Sequence, residues 1–471
     1  MATRPIVKNM NATSVGVLNW ILSNASGYLA GAPKADNTVQ SIKQIGEFIN
    51  AYQPRQNQFL SSLVNRIGLV IIASKSYSNP WQWVKRGTLD YGESIEEIYT
   101  NLAKVESFQT DVSTNDMLAD LFGTRKPNVM AAFHQMNFQK KYPVTVSEDQ
   151  LRTAFTSMEG VNQLIDYIVQ SLYTAFEYDE FIVYEYMLGR LALDGKIKAV
   201  TIGNVNASNA KTIVSKIKEV SNNMTFMKTD YNMAKVFTHT PKTDQYVLKA
   251  TDADAIIDVE VLSLAFNMDK SEFSGHQVLM DDYDTAKAAR LKELLSDDPE
   301  FVPFTDDEIT LLNTVKFFIL DKDFLMQYEK LVKMTEQNIP NELKWNYFLH
   351  HWALFSASPF KNVCLFTTSE AAVSSVTVSP STGALYPGQS LQLEATISGT
   401  GFFDQDVVWS ITGNSSTKTK ISRSGILTLD ASETAGGTIT VKATSVADST
   451  KYGTSDITVA TISGSVVPIG G

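Results

Sequence analysis

A chain of 471 residues, 44% hydrophobic and 19% charged, is long enough for roughly two to four domains and has the balance of a globular protein. Its formal net charge of -11 excludes a protein that coats nucleic acid, because displacing counterions from phosphates needs a basic face or arm. One cysteine, Cys364, rules out an intrachain disulfide and fits folding in a reducing compartment. No apolar run approaches the roughly 18 residues that a membrane span needs.

In chain order, Val15 to Leu22 (VGVLNWIL) imitates a signal-peptide core, but Asn19 interrupts it, and an ordinary amphipathic segment is expected. Phe59 to Ile72 (FLSSLVNRIGLVII) is strongly apolar. Residues 75–146 are polar and irregular, punctuated by Asn79-Pro80, Arg86-Gly87, Tyr91-Gly92 and Gly123-Thr124. So long a stretch without a dense apolar pattern points to an arm that packs on another subunit. Ser147 with Gln150 reads as a capping box, and apolar residues from Val161 to Leu191 keep helical spacing. Continuous, that helix would be about 50 Å long at about 1.5 Å per residue. Lys211 to Val220 predicts an amphipathic helix, Ile256 to Val261 a strand, and Asp281 to Leu295 a helix with an acidic start. Thr305 and Glu308 form a second capping box ahead of Ile309 to Ile319, and Asn362 to Thr367 is strand-like.

Near Glu370 the composition shifts to Ser, Thr, Gly and Val. Leu391, Leu393, Ala395 and Ile397 alternate with polar residues, as do Ile439, Val441 and Ala443, and then Ile457 and Val459. Pro387-Gly388, Gly413-Asn414, Ser424-Gly425 and Gly436-Gly437 separate such runs. Period-two alternation between turn signals predicts an antiparallel sandwich, with Trp409 as its core aromatic.

No phosphate-binding glycine loop, nucleophile elbow or zinc-protease helix occurs, so no catalytic, cofactor or metal site is expected and the chain is read as a non-enzyme. His350-His351 with Cys364 suggests a thiol or metal centre on paper. Adjacent histidines in a strand or a helix point different ways, and a cysteine in NVCLF acts as a small hydrophobe. Asp252, Asp254 and Asp258 lack the glycine and terminal glutamate of a calcium loop and are read as solvated turn residues. Asp281, Asp282 and Asp284 are read as helix N-terminal charge. Trp81 and Trp83, followed by Lys85 and Arg86, would face one way on a strand. Of three uses for that group, an intersubunit contact comes first, packing within the arm second, and single-stranded nucleic acid last.

Several stretches together resemble the major capsid proteins of the phi29-like small podophages. They are Phe59 to Ile72, Gly92 to Asn101 (GESIEEIYTN), Pro127 to Gln139 (PNVMAAFHQMNFQ), Leu151 to Phe155 (LRTAF), Val259 to Gly275 (VEVLSLAFNMDKSEFSG) and Leu320 to Phe366. The tail resembles the group 2 bacterial immunoglobulin-like domain, through Val376 to Pro380 (VTVSP), Pro387 to Ser390 (PGQS), Val407 to Ser410 (VVWS), Ile421-Ser422 with Ser424-Gly425, and Thr438 to Thr444 (TITVKAT). The resemblance implies an α+β Hong Kong 97 phage-type capsid fold over residues 1–370 and an all-β immunoglobulin-like domain over 371–471. Within the first part, 75–146 would be the extended loop and 158–193 the spine helix. Residues 195–310 would be mainly the axial domain, and 311–370 the return to the peripheral domain. Residues 283–312 are read as an extra charged surface insertion. The implied function is a homo-oligomer of hexamers and pentamers in an icosahedral virion head enclosing double-stranded DNA, assembled in the host cytoplasm. Its implied partners are a scaffolding protein, a portal and head fibres, with no cofactor. The rival expectation is a bacterial surface or adhesion protein with the tail as stalk.

Overall fold

The computed structural model describes residues 18–19, 22–23, 27–36, 38–52, 54–56, 58–59, 77–89, 94–103, 105, 127, 129–148, 170–261 and 276–461. The apolar run over 60–72, the capping residue Gln150 and the helical pattern over 151–169 lie outside them. In chain order come helix α1 (Val39–Asn50) and strands β1 (Lys85–Thr88), β2 (Ser94–Thr100), β3 (Val129–Gln135) and β4 (Phe138–Ser147). A π-helical turn, Gln170–Thr174, runs into helix α2 (Ala175–Leu193). Then follow β5 (Lys198–Thr201), α3 (Ala210–Met224), β6 (Gln245–Ala250), α4 (Thr251–Val261), β7 (Gln277–Met280), α5 (Thr285–Leu294) and α6 (Asp306–Leu312). Strands β8 (Val315–Asp321), β9 (Leu325–Ile339), β10 (Lys344–Ala357) and β11 (Val363–Thr367) complete this part.

The chain divides into two compact units, and α2 passes from the first to the second after Tyr184. In the first, β1-β9-β10-β4 form one sheet. β10 alternates from Lys344 to Ala353, burying Trp345, Tyr347, Leu349 and His351, and pairs antiparallel with β4 so that Trp345 faces Val146 and Leu349 faces Tyr142. That period of two places one apolar face against the core. α1 begins at Thr38, whose side chain accepts from Ser41 N (3.3 Å). It buries Ile42, Ile45 and Ile49, at helical spacing, in the same cluster as Tyr142, Phe176 and Tyr347. β2 and β3, from the segment expected to be an arm, pair with each other as a two-stranded sheet.

The second unit holds a five-stranded mixed sheet ordered β5-β11-β8-β6-β7. β8 and β11 lie inside it and are buried along nearly their whole length, as strands covered on both faces are. Two expectations are corrected here. Ile256 to Val261 is part of α4, not a strand, and the run after Thr305 is helical only to Leu312 before β8 begins at Val315. Residues 283–312 are also less superficial than an insertion of charge implies. Tyr283, Leu291, Leu294 and Leu312 are buried, Phe301 and Phe304 pack on Tyr186, and Arg190 makes a two-pronged pair with Glu308 at 3.1 Å.

The last nine strands follow in turn. They are β12 (Ala372–Ser379), β13 (Thr382–Leu385), β14 (Ser390–Gln392), β15 (Glu394–Thr400) and β16 (Val407–Thr412), then β17 (Lys420–Ile421), β18 (Ile426–Thr428), β19 (Thr438–Ser445) and β20 (Tyr452–Val459). They enclose one apolar core in which Val376, Leu393, Leu427, Ile439, Val441 and Ile457 are buried and Trp409 packs at the edge. Pairing is antiparallel except for β13 with β20, which run parallel. Gly425 turns with φ +84, and a Cβ there would sit 2.3 Å from the Leu393 carbonyl, so this Ser-Gly turn needs its glycine.

Candidate functional site

Trp81, Trp83, Lys85 and Arg86 lie at the corner where the chain enters β1. The expected strand with both indoles on one side is corrected. Asn79 Oδ1 accepts from Trp81 N (2.8 Å), and Gln82–Val84 continue as a single 3-10 turn. An asparagine folding back on the backbone two residues ahead is ordinary turn chemistry, and here it separates the rings. Trp81 is 1% exposed, stands edge-on to Phe181 (5.5 Å between centroids) and stacks on Tyr184 (6.3 Å). It is a core residue of the first unit, not a surface anchor. Trp83 and Arg86 are half-buried.

Lys85 turns inward, toward α2. Glu177, Glu180 and Tyr184 share one face of that helix through their i, i+3 and i+7 spacing. Lys85 Nζ lies 2.7 Å from Glu180, 3.6 Å from Glu177 and 3.7 Å from Glu329 on β9. Gln327 Nε2 donates to Glu180 Oε1 (2.6 Å), and the Tyr184 hydroxyl donates to Gln327 Oε1. His351, on the buried face of β10, brings Nε2 to 3.6 Å from the same Glu180 oxygen and packs on Phe176 and Phe138.

The electrostatics follow from burial. Desolvation pushes the Glu180 carboxyl up to about 7 against the opposing pull of Lys85. It pushes the His351 imidazole down to about 3, with the Lys85 charge adding to the effect. Burial alone would lower Lys85, yet Glu180 and then Glu177 and Glu329 outweigh it and hold the ammonium above its ordinary range. His351 is therefore neutral at pH 7, with one ring nitrogen able to accept or to ligate. Among the described residues, Glu180, Glu329 and His351 have donor atoms that all lie within 4.8 Å of one another and could hold a metal ion.

The remaining singled-out residues come to rest in ordinary roles. Cys364 is fully buried in β11, where burial pushes its thiol up to about 12, so it lacks the thiolate that catalysis needs. Asp252 and Asp254 open α4 and pair with Lys316 (2.7 Å) and Lys249, whereas the side chain of Asp258 lies outside the described residues. Asp284 caps α5 by accepting from Lys287 N (2.6 Å). A cleft of about 540 Å³ is lined by Lys196, Lys198, Lys235, Asp404 and Asp406. Lys198 there pairs with Asp230 (3.5 Å) and Lys235 with Asp404 (2.5 Å), which leaves the cleft little unspent charge. Nothing in these arrangements assembles a nucleophile, a base and an orienting group. Sequence reasoning missed Glu177, Glu180, Gln327 and Glu329. The one available signal was His350-His351, set aside because neighbours on a strand diverge. That divergence is what sends His351 into the core while His350 meets Thr335 at 2.8 Å.

Residues 18–367 match the Phi29-like phage major capsid protein family. The major capsid protein of Bacillus phage B103 is 33% identical over 443 residues, covering 92% of this chain and 90% of that protein. The major capsid protein of Bacillus phage PZA is 32% identical over 86% of this chain and 84% of that protein. Among solved structures, the capsid of Staphylococcus phage Andhra aligns with a TM-score of 0.48 at 13% identity, over 63% of this chain and 86% of that one. A match spanning 350 residues at the stated positions, with relatives similar over nearly their whole length, decides the class. The chain belongs to the Phi29-like phage major capsid protein family, a family of structural subunits and not of enzymes, and is a component of the capsid shell of a virion.

Proposed function

We propose that this chain is the self-assembling subunit of an icosahedral head, forming hexamers and pentamers that enclose double-stranded DNA. The observation that carries the reading is the family match from residue 18 to residue 367. On this reading residues 1–370 adopt the Hong Kong 97 phage-type fold. The paired strands β2 and β3 belong to an extended loop over 75–146, α2 to a spine helix over 158–193, and the five-stranded sheet to the mainly axial region over 195–310 and the return over 311–370. Residues 371–471 form an immunoglobulin-like domain that braces or decorates the outer surface. The closed apolar core of that segment and its glycine turns support this.

Repetition of one contact set by symmetry lets modest interfaces add up to a durable particle. Trp83 and Arg86, half-buried at the base of the loop, are the members of their cluster placed to reach a neighbouring subunit. A net charge of -11 suits a container whose wall does not hold on to the DNA driven into it. Assembly would occur in the bacterial cytoplasm with a scaffolding protein, a portal at one vertex and head fibres. Electron microscopy of the purified chain, alone and with the scaffolding protein, tests the reading. Closed shells or six-fold sheets are expected, and uniform monomers under both conditions would sink it.

A further inference from the structure

Among the described residues, three carboxylates, Glu177, Glu180 and Glu329, face a single ammonium, Lys85, in the first unit, and on that count the pocket carries surplus negative charge. Glu180 has no side-chain exposure at all. A buried carboxylate is expensive unless a cation or a proton neutralises it, and the ammonium beside Glu180 is shared with the partly exposed Glu177 and Glu329. Beside it stands His351, also wholly buried, and among the described residues neither ring nitrogen has a hydrogen-bond partner. Buried imidazole nitrogens are rarely left so, and each unmet group costs about 1–3 kcal/mol. A proton on Glu180 could meet Nε2 of His351 after a small shift, yet it would leave Nδ1 unmet and Glu329 without a cation of its own.

We propose that Glu180, Glu329 and His351 form a binding site for one zinc-type divalent cation, which ties α2 to the two neighbouring strands β9 and β10. The separation of His351 Nε2 from Glu180 Oε1, 3.6 Å, is too long for a hydrogen bond. It is, however, the spacing of two ligands on one ion at bond lengths of about 2.0–2.2 Å. Glu329 needs only a side-chain rotation to join them, since the three donor atoms already lie within 4.8 Å. Its side chain is 27% exposed, so it supplies the way in and room for a water as a further ligand. Glu180 Oε1 can accept from Gln327 and still offer a lone pair, while its other oxygen keeps Lys85 at 2.7 Å. Gln327 and Lys85 thus orient the ligating carboxylate from behind, as outer partners do in built metal sites. One imidazole with two carboxylates favours zinc, manganese or cobalt over calcium and magnesium, which demand more oxygens.

The test uses the full chain, stripped with chelator and re-dialysed against zinc alone. One zinc per chain is expected by elemental analysis, with a higher melting temperature in its presence. Cobalt(II) on the unaltered chain should give visible bands of low-coordinate nitrogen–oxygen ligation, a readout that needs no variant. Glu329→Gln, changed at the half-open ligand so that folding survives, should bind at least about tenfold more weakly. His351→Asn should lose binding. No stoichiometric zinc, or an affinity in both variants equal to that of the unaltered chain, would overturn the site.

Discussion

Lys287 shows how a single buried charge sets the pH response of the second unit. Its Nζ meets Glu185 Oε2 at 2.9 Å, Asp281 at 2.9 Å and the Asp282 carbonyl at 2.9 Å. Burial lifts the Glu185 carboxyl to about 7 from an ordinary 4.5, with Lys287 pulling the other way. A carboxyl raised on folding gives stability that is complete below about 4.5 and is lost as pH rises through about 7. Lys287→Met removes the opposing pull and leaves the anion buried with no ammonium beside it. The variant should lose about 3–5 kcal/mol above neutrality, as broken buried pairs do. The loss should shrink toward pH 5, where Glu185 takes up a proton, and urea titrations at the two ends of that range check it. Trp81 allows a second residue-scale prediction. Because its ring is buried against Phe181 and Tyr184, Trp81→Ala should destabilise the folded chain by about 3–5 kcal/mol. Trp83→Ala, at a half-buried position, should lower the monomer's unfolding midpoint less than Trp81→Ala does while slowing shell formation. Equal midpoints for the two variants would overturn that division.

Elements announced by local chemistry were legible, and those decided by distant partners were not. The capping box of α6 is present in full, with Thr305 and Glu308 each bonding the other's backbone. Such a box involves four adjacent residues and depends on nothing remote. Thr305→Ala should therefore cost about 1 kcal/mol, read as a shift in the denaturation midpoint of the second unit. The tail strands were equally plain, since alternation between glycine turns has one reading. Ile256 to Val261 failed for the opposite reason. Its β-branched residues favour a strand in isolation, but the acidic first turn at Asp252 and Asp254 and the packing of α4 on β6 and α3 make it helix. Trp81-Gln82-Trp83 looked like period-two alternation, and the Asn79 side chain bent the backbone first. The acidic pocket was hidden in another way. Glu180 and His351 are brought together only when α2 lies over the sheet, and no spacing within either segment records that meeting.

At the scale of the molecule, the question is what the last hundred residues contribute to the shell. Their apolar core closes on itself, from Val373 to Val459, and among the described residues includes none from upstream of position 373. Polar contacts tie them to the rest of the second unit, beside a cleft where Phe402 and Phe403 stand with Tyr231 and Met233. Lys235, itself at φ 54, reaches Asp404 at 2.5 Å and Asp406 at 3.9 Å. Gln405 Nε2 donates to the Leu193 carbonyl (3.2 Å), and Gly195 leaves so little room that a Cβ would sit 2.4 Å from the Phe403 carbonyl. Partly exposed ion pairs of this kind contribute about 0–1 kcal/mol each, so these pairs orient the tail more than they hold it. Removing residues 371–471 should leave a folded chain whose five-stranded sheet is intact, because all five of its strands lie upstream of the tail. If the tail decorates a shell built by the upstream residues, the truncated chain should still close into particles of the same diameter, with weaker resistance to heat or to osmotic shock as the loss to measure. Open sheets or no particles from a chain that remains folded would show instead that the tail takes part in the contacts that close the shell.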